Sequence, residues 1–189
     1  ESLEDLSMRE FQDMVTIFDV CRTIQRWERV RRGATEMEPY LLELGTEGRL
    51  VEMQLREVML SASAAELVVR DFYRDTGKST YAQVLERLAA LDENDLLKLG
   101  NISQILGYGP NPRTVDTYLS SHGYRILTQT NRLVPQIIDN LVTRFTTLQQ
   151  ILRAPKEDLV RVEGVGEVLA DRIRSGLNLL QNQLALERR

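Results

Sequence analysis

The residues best placed to do chemistry in this chain of 189 are two glycines and the helical run directly after them. They lie in the stretch Val162-Glu163-Gly164-Val165-Gly166-Glu167-Val168-Leu169-Ala170-Asp171-Arg172-Ile173. The pattern is apolar, any, Gly, apolar, Gly, three residues, Ala, two residues, Ile. Glycine at both positions lets the backbone turn tightly and puts no Cβ between its N–H groups and an approaching oxyanion. A helix beginning directly after Gly166 adds unsatisfied N–H groups and the positive end of its dipole at the same point. Val165 is predicted to plug the turn into the core. Ala170 lets two helices cross closely, and Ile173 and Leu177 continue the buried stripe. The chemistry implied is capture of a phosphate by main-chain amides. A helical connection that happens to use two glycines is the plain alternative; Ala and Ile in register, with a short helix before and a long one after, favour the cradle. A dinucleotide fingerprint is excluded, because its third glycine would fall at Leu169 and no strand precedes. Glu167, Val168 and Leu169 come after the second glycine, so side-chain cations must come from Arg161, Arg172 or Arg174, and secondarily from Arg153 or Lys156.

Other constellations carry less. Asp75-Thr76-Gly77-Lys78-Ser79-Thr80 imitates the end of a phosphate-binding loop, but the required first glycine is Phe72 and a helix precedes it. A helix end followed by the next helix start explains it better. His122 has no second histidine or cysteine pair with which to share a metal, so an exposed loop residue is expected and no metal site. Arg22, Arg26, Arg29, Arg31 and Arg32 fall partly on one side of a helix, interspersed with Asp19, Glu28, Glu36 and Glu38. They read as a solvated face with ion pairs at i,i+4, or as an auxiliary contact to DNA or another subunit. Lys156 precedes the glycines and Asp171 lies on the helix after them, an arrangement that supports no catalysis. Catalytic residues: none.

The elements that position the glycines are helical. Apolar residues recur from Leu3 to Leu44 in steps of three to five, which predicts one long helix, bent by Pro39 and ended by Gly45. A second helix is predicted over Leu50–Met59. Ser63 with Glu66 reads as a capping box opening a helix that stops near Gly77, and Thr80 with Gln83 as another opening a helix to Leu91. Short turns of helix are predicted at Asp92–Leu99 and Ile102–Leu106, and then a loop at Gly107–Pro112. Beyond residue 130 come Pro135–Phe145, Leu148–Arg153 capped by Thr147 with Gln150, Lys156–Arg161 behind Pro155, and Glu167–Leu180. The class is all-α. Net charge is −4, but residues 131–189 hold nine basic and seven acidic side chains against 15 and 21 before them, so only the tail could welcome a polyanion. The single cysteine, Cys21, excludes an intramolecular disulfide and fits a reducing cytosol. No apolar run reaches membrane-span length, and the start, Glu-Ser-Leu-Glu-Asp, does not read as a signal peptide; a cytoplasmic protein with no membrane partner is expected.

The glycine segment resembles the tandem helix-hairpin-helix domains of DNA repair and junction-binding proteins. Upstream, Arg132-Leu133-Val134-Pro135 with Ile138 and Leu141 stands where the first hairpin belongs, with Arg132 and Val134 at the glycine positions. Asp19-Val20, Gln25-Arg26-Trp27-Glu28-Arg29-Val30-Arg31-Arg32, Leu42-Glu43-Leu44-Gly45-Thr46-Glu47-Gly48-Arg49-Leu50 and Gly123-Tyr124-Arg125 are similar to the helical region of the bacterial DNA integrity scanning family of diadenylate cyclases. The resemblance implies a long-helix spine over 1–120 and a small tandem helix-hairpin-helix (RuvA domain 2-like) domain over 121–189. It implies sequence-independent binding of DNA, branched DNA preferred, through Gly164, Val165, Gly166, Arg161, Arg172 and Arg174. In that family a separate cyclase domain, with Asp-Gly-Ala and Arg-His-Arg motifs, joins two ATP molecules into cyclic di-AMP with Mg²⁺ or Mn²⁺. It also self-associates into an octamer and is silenced by branched DNA. Those motifs are absent here. The chain is therefore expected to be the C-terminal sensing arm of a nucleoid-associated cytoplasmic protein, with no cofactor and no enzymatic activity of its own. The rival is a structural helical module for protein contact or oligomerisation.

Overall fold

Long stretches without glycine or proline and apolar residues at helical spacing leave the chain little alternative to helix. The computed structural model describes residues 3–77, 79–113, 118–130 and 133–186. The helices run α1 (Leu3–Phe11), α2 (Ile17–Leu44), α3 (Arg49–Phe72), α4 (Tyr81–Ala89), α5 (Glu93–Leu96) and α6 (Leu99–Ile105). They continue as α7 (Tyr124–Gln129), α8 (Pro135–Phe145), α9 (Leu148–Arg153), α10 (Lys156–Val160) and α11 (Glu167–Leu186). Two two-residue strands, β1 (Val15–Thr16) and β2 (Tyr118–Leu119), pair antiparallel with Val15 opposite Leu119. The chain forms two units. A spine unit holds Phe18–Val69 and Tyr73–Val115; a hairpin unit holds Glu1–Ile17, Arg70–Phe72 and Asp116–Arg189.

In the spine unit α2 runs through Pro39 and ends at Gly45, whose φ of 53° matches the expected left-handed cap. The expected break near Ser63 does not occur: α3 is one helix, because nothing between residues 49 and 72 is glycine or proline. Ser63 with Glu66 is an interior spacing that imitates a capping box. The box at Thr80 is genuine: its hydroxyl accepts from Gln83 N at 3.4 Å and the Gln83 side chain accepts from Thr80 N at 2.9 Å. Val20, Ile24, Val68, Val84, Leu88 and Ile102 supply the buried apolar face. Cys21 lies among them, and burial pushes its thiol up to about 12, which leaves it unreactive.

The predicted helix from Leu3 to Leu44 breaks at Gln12–Met14. Asp13 adopts a φ of 56°, Met14 N donates back to Arg9 O at 2.9 Å, and Ser120 donates to the Asp13 carboxylate at 3.0 Å. The break separates α1 from α2, and α1 belongs to the hairpin unit. Phe11 enters an apolar core with Ile126, Leu141, Ile151, Leu159 and Ile173.

A polar chain runs through that core. Asp71 takes up the first amides of α7, which sequence patterning does not predict: Tyr124 N donates to it at 2.5 Å and Arg125 N at 3.1 Å. Gly123, the α7 N-cap with φ 96°, has no side chain to do this itself. Arg125 then donates to the Glu10 carboxylate and, at 2.6 Å, to the Ser7 hydroxyl. Gln149 closes the end of α1 by donating to the carbonyls of Glu10 and Phe11 at 2.9 and 3.1 Å. Arg125 is 1% exposed, Glu10 3% and Asp71 0%, so two carboxyls share one guanidinium out of water. Burial lifts Glu10 from its ordinary 4.5 to about 8, and Asp71 from 3.8 to about 6, against the pull of Arg125.

Both carboxyls are held above their unfolded values. Their favourable contribution is therefore complete below those values and is lost as pH rises, for Glu10 between 4.5 and about 8. Glutamine at position 10 mimics the protonated acid. In denaturant titrations the stability of Glu10→Gln relative to wild type is expected to rise steadily between about pH 5 and pH 8.5. A difference that stays flat with pH would show that Glu10 is ionised throughout.

Candidate nucleic-acid interface

The second hairpin forms as its glycines require. The short helix α10 ends at Arg161, Val162 turns inward, and Val165 N donates back to Val162 O at 3.0 Å. Val162 and Val165 are each 4% exposed, so the turn is pinned at both ends by apolar side chains. Gly164 has a φ of 81°, the left-handed region where a Cβ is strained. A Cβ there would also stand 2.5 Å from Ile137 Cδ1. Gly166 is different: no left-handed conformation is imposed, and a Cβ would meet nothing within 4 Å. It is exposed, at the start of the 20-residue α11. The first intrahelical bond is Ala170 N to Gly166 O at 2.9 Å. The amides of Glu167, Val168 and Leu169 thus precede the hydrogen-bonded turns and have no acceptor within the helix. Ala170 and Ile173 are fully buried and Leu177 nearly so, which seats α11 and fixes where those amides point.

The turn is held from outside by α8. Asn140 donates to Glu163 O at 3.0 Å, and Gln136 braces Asn140 at 3.0 Å. Ile137, one turn from Asn140, packs under Gly164. Sequence reasoning missed these positions. Pairing of the two copies is the reason they face the turn, yet Gln136 and Asn140 look like any exposed polar residues of an amphipathic helix.

The first copy is built to the same plan but without the cradle. Val134 stands where Gly166 stands, with Ile138 N donating to Val134 O at 3.3 Å. It carries a side chain that is 63% exposed, and Pro135 at the first helical position removes one of the free amides. Arg132 lies outside the described residues.

The charged side chains do not converge. Arg161 sits on the rim of the turn, bound to Asp158 at 3.1 Å. Arg172 and Arg174 are exposed, and lie about 9 and 12 Å along the helix axis from Gly166, on different sides of α11. Arg153 is exposed at the end of α9. Lys156 is engaged by Asp171 at 2.7 Å and Glu167 at 3.8 Å, and the Asp171 hydrogen bond holds its ammonium above the usual lysine range. Carboxylates therefore balance cations around the turn, and directed amides remain its distinctive feature. His122 is half-buried, not an open loop residue: its Nδ1 lies 2.7 Å from Thr146 O. Among the described residues no group of three or more His, Cys, Asp or Glu is placed to hold a metal, and no helix is long and apolar enough to cross a membrane.

A helical spine followed by paired hairpins defines a helix-hairpin-helix tandem protein with a dedicated linker. The sequence matches the SAM-like helix-hairpin-helix tandem over residues 125–178 and the linker region of the bacterial checkpoint controller DisA over residues 1–115. The chain belongs to the DisA family. It is 40% identical over its whole length to the DNA integrity scanning protein DisA of Acetivibrio thermocellus, of which it covers 52%. It is 43% identical over 187 residues to that of Streptomyces griseus, covering 97% of this chain and 50% of the relative. With the DisA of Clostridium kluyveri it shares 40% over 186 residues, 98% of this chain and 52% of the relative. The chain spans about half the length of the curated relatives it matches.

The two glycines should respond differently to a methyl group. Gly164→Ala forces a strained φ and a collision with Ile137, and is expected to cost on the order of 1–3 kcal/mol. Gly166→Ala should leave stability within about 0.5 kcal/mol. Thermal unfolding of the two variants checks this, and equal losses would contradict the geometry.

Proposed function

We propose that this chain binds DNA backbone through its second hairpin without reading base sequence, as the sensing arm of a cyclic di-AMP synthase. The binding part lies within residues 121–189 and the spine within residues 1–120. The observation that carries the reading is Gly166: an exposed position with open space where a Cβ would be, directly ahead of free helix amides. An oxyanion can approach there closely. Val165 anchors the turn, while Arg161, Arg172 and Arg174 supply a supplementary field. Amide-to-phosphate contacts fix position and carry no base information. Branched DNA is the preferred partner, because one small cradle reaches few phosphates on a linear duplex and a junction offers several backbones at once. The site of action is the bacterial cytoplasm, at the nucleoid.

ATP and a divalent metal belong to the cyclase part of such proteins. The Asp-Gly-Ala and Arg-His-Arg motifs that mark that part do not occur in this sequence, and the proposal places nucleotide chemistry there. Self-association would likewise belong to the cyclase part.

A second reading, a protein-contact module, draws on Val134 beside the first hairpin and Val168 beside the second, apolar and 63% and 76% exposed. The same experiment separates the two. Gly166→Val should keep the helical circular dichroism of wild type and lose at least about tenfold in affinity for junction DNA, roughly 1.4 kcal/mol. Arg172→Ala and Arg174→Ala should weaken binding modestly, each lowering the log–log salt slope by about 0.9 if it neutralises one phosphate. A folded Gly166→Val protein that binds junctions as wild type does would remove the hairpin from the contact and favour the protein-contact reading.

The pure chain, incubated with ATP and Mg²⁺ or Mn²⁺, is expected to yield no cyclic di-AMP by chromatography. Product at a level beyond contaminating cyclase would overturn the assignment of chemistry elsewhere.

A further inference from the structure

Five arginines fall within eleven residues of α2, and the structure divides them by face. Arg31 and Arg32 both bind the half-buried Glu28, at 2.6 and 2.9 Å. Arg32 also donates to the last carbonyls of α4, Leu88 O and Ala89 O, each at 3.2 Å. These two arginines are structural. Arg22, Arg26 and Arg29 succeed one another at steps of four and three, within about 60° of arc, and all three are exposed.

The line extends in both directions. One turn before Arg22 is Phe18, with the Arg113 guanidinium 5.3 Å above its ring. Phe18, Arg22, Gln25, Asn111 and Arg113 line an open groove of about 660 Å³. One turn after Arg29 is Gly33, exposed, with nothing within 4 Å of where its Cβ would be. Of the acidic residues of α2 near this face, Asp19 is buried, Glu28 is held by Arg31 and Arg32, and Glu36 is exposed about two turns beyond Arg29.

We infer that the Arg22–Arg26–Arg29 face of α2, extended by Arg113, is a second polyanion-binding surface that takes the phosphate backbone of a nucleic acid. From Phe18 to Arg29 the helix rises about 16 Å, roughly the axial length of five phosphates on one strand of a duplex. Guanidiniums at successive turns match a linear array of phosphates, and arginine pairs with phosphate oxygens in a forked geometry that lysine cannot reproduce. A membrane surface would want apolar residues between the cations; none separates Arg22, Arg26 and Arg29 on this face of α2, and Leu97, Leu99 and Pro112 lie to one end, in the groove beside Phe18 and Arg22. The surface is chemically unlike the hairpin: it works by charge where the hairpin works by amides.

The test compares three forms of the full chain on a long duplex and on a junction: wild type, the triple variant Arg22→Gln/Arg26→Gln/Arg29→Gln, and Gly166→Val. The triple variant should lower the log–log salt slope by about 2.7, that is 0.9 for each arginine. A triple lysine replacement, which keeps the charge, should preserve most of the slope. In wild type, DNA should protect Arg22, Arg26 and Arg29 from phenylglyoxal, read by mass spectrometry. An unchanged slope in the glutamine variant with no protection overturns the inference, while loss of binding in Gly166→Val alone leaves the hairpin reading standing. The reverse pattern removes the hairpin and keeps this surface. Absence of DNA binding by wild type overturns both, and protection by poly-glutamate but not by DNA overturns the nucleic-acid assignment in favour of an acidic protein.

Discussion

The hairpin unit depends on one buried cation. Arg125 lies where α1, α7 and the last turn of α3 meet, and its guanidinium is the charge that the carboxyls of Glu10 and Asp71 share in that core. Two acids and one base out of water cannot all be ionised without leaving a net charge uncompensated, so the core retains a proton. Geometry is what the arrangement provides. Asp71 fixes the start of α7 through two amides, α7 carries Arg125, and Arg125 holds α1 through Glu10 and Ser7. Three segments far apart in sequence are thereby held in one register. Phe11 of α1 then completes the apolar floor that also seats Ile151 and Ile173.

That register reaches the turn through packing and one hydrogen bond from α8. Ile173 and Leu177 of α11 bury against the same core as Ile137, Ile138 and Leu141 of α8. Because α8 is fixed there, Asn140 and Ile137 meet the Glu163–Gly164 turn from below, and Gly166 is left facing outward. A cradle made of main-chain amides needs this rigidity more than a cluster of arginines would. Amides cannot swing to meet a ligand as a long side chain can, so their value lies in being held where the phosphate arrives.

How much of this could be read from residue types depends on the range of the interaction concerned. The hairpin is local: its two glycines, the plug at Val165 and the stripe of Ala170, Ile173 and Leu177 all lie within fifteen residues, and the bounds of α8 and α9 are set by Pro135 and Thr147. Local patterns also misled where they were ambiguous. Ser63 and Glu66 have capping-box spacing inside an unbroken helix, whereas the real stop near Asp13 depends on a non-glycine residue adopting a positive φ with a hydrogen bond from Ser120, 107 residues away. Glu10, Asp71 and Arg125 could not be matched from spacing, since each looks like a surface charge on an amphipathic helix until the chain brings them together. Likewise the arginines of α2 read as one group, and only Glu28 and the carbonyls at the end of α4 separate the structural pair from the exposed three.

The two proposed ways of holding phosphate would place opposite demands on sequence. At the hairpin, charge is nearly balanced: Lys156 is held by Asp171 and Glu167, Arg161 by Asp158, and Val168 stands where a cation would reinforce the site. An amide cradle in such surroundings discriminates by shape, because attraction at a distance is weak and only a phosphate that fits between the turn and the helix start gains the full set of contacts. A strongly basic hairpin would bind any duplex tightly at low salt and discriminate little between a junction and the far more abundant linear DNA. Near-neutrality at the turn thus leaves discrimination at the proposed hairpin contact to backbone geometry, whatever charge elsewhere on the chain adds to affinity.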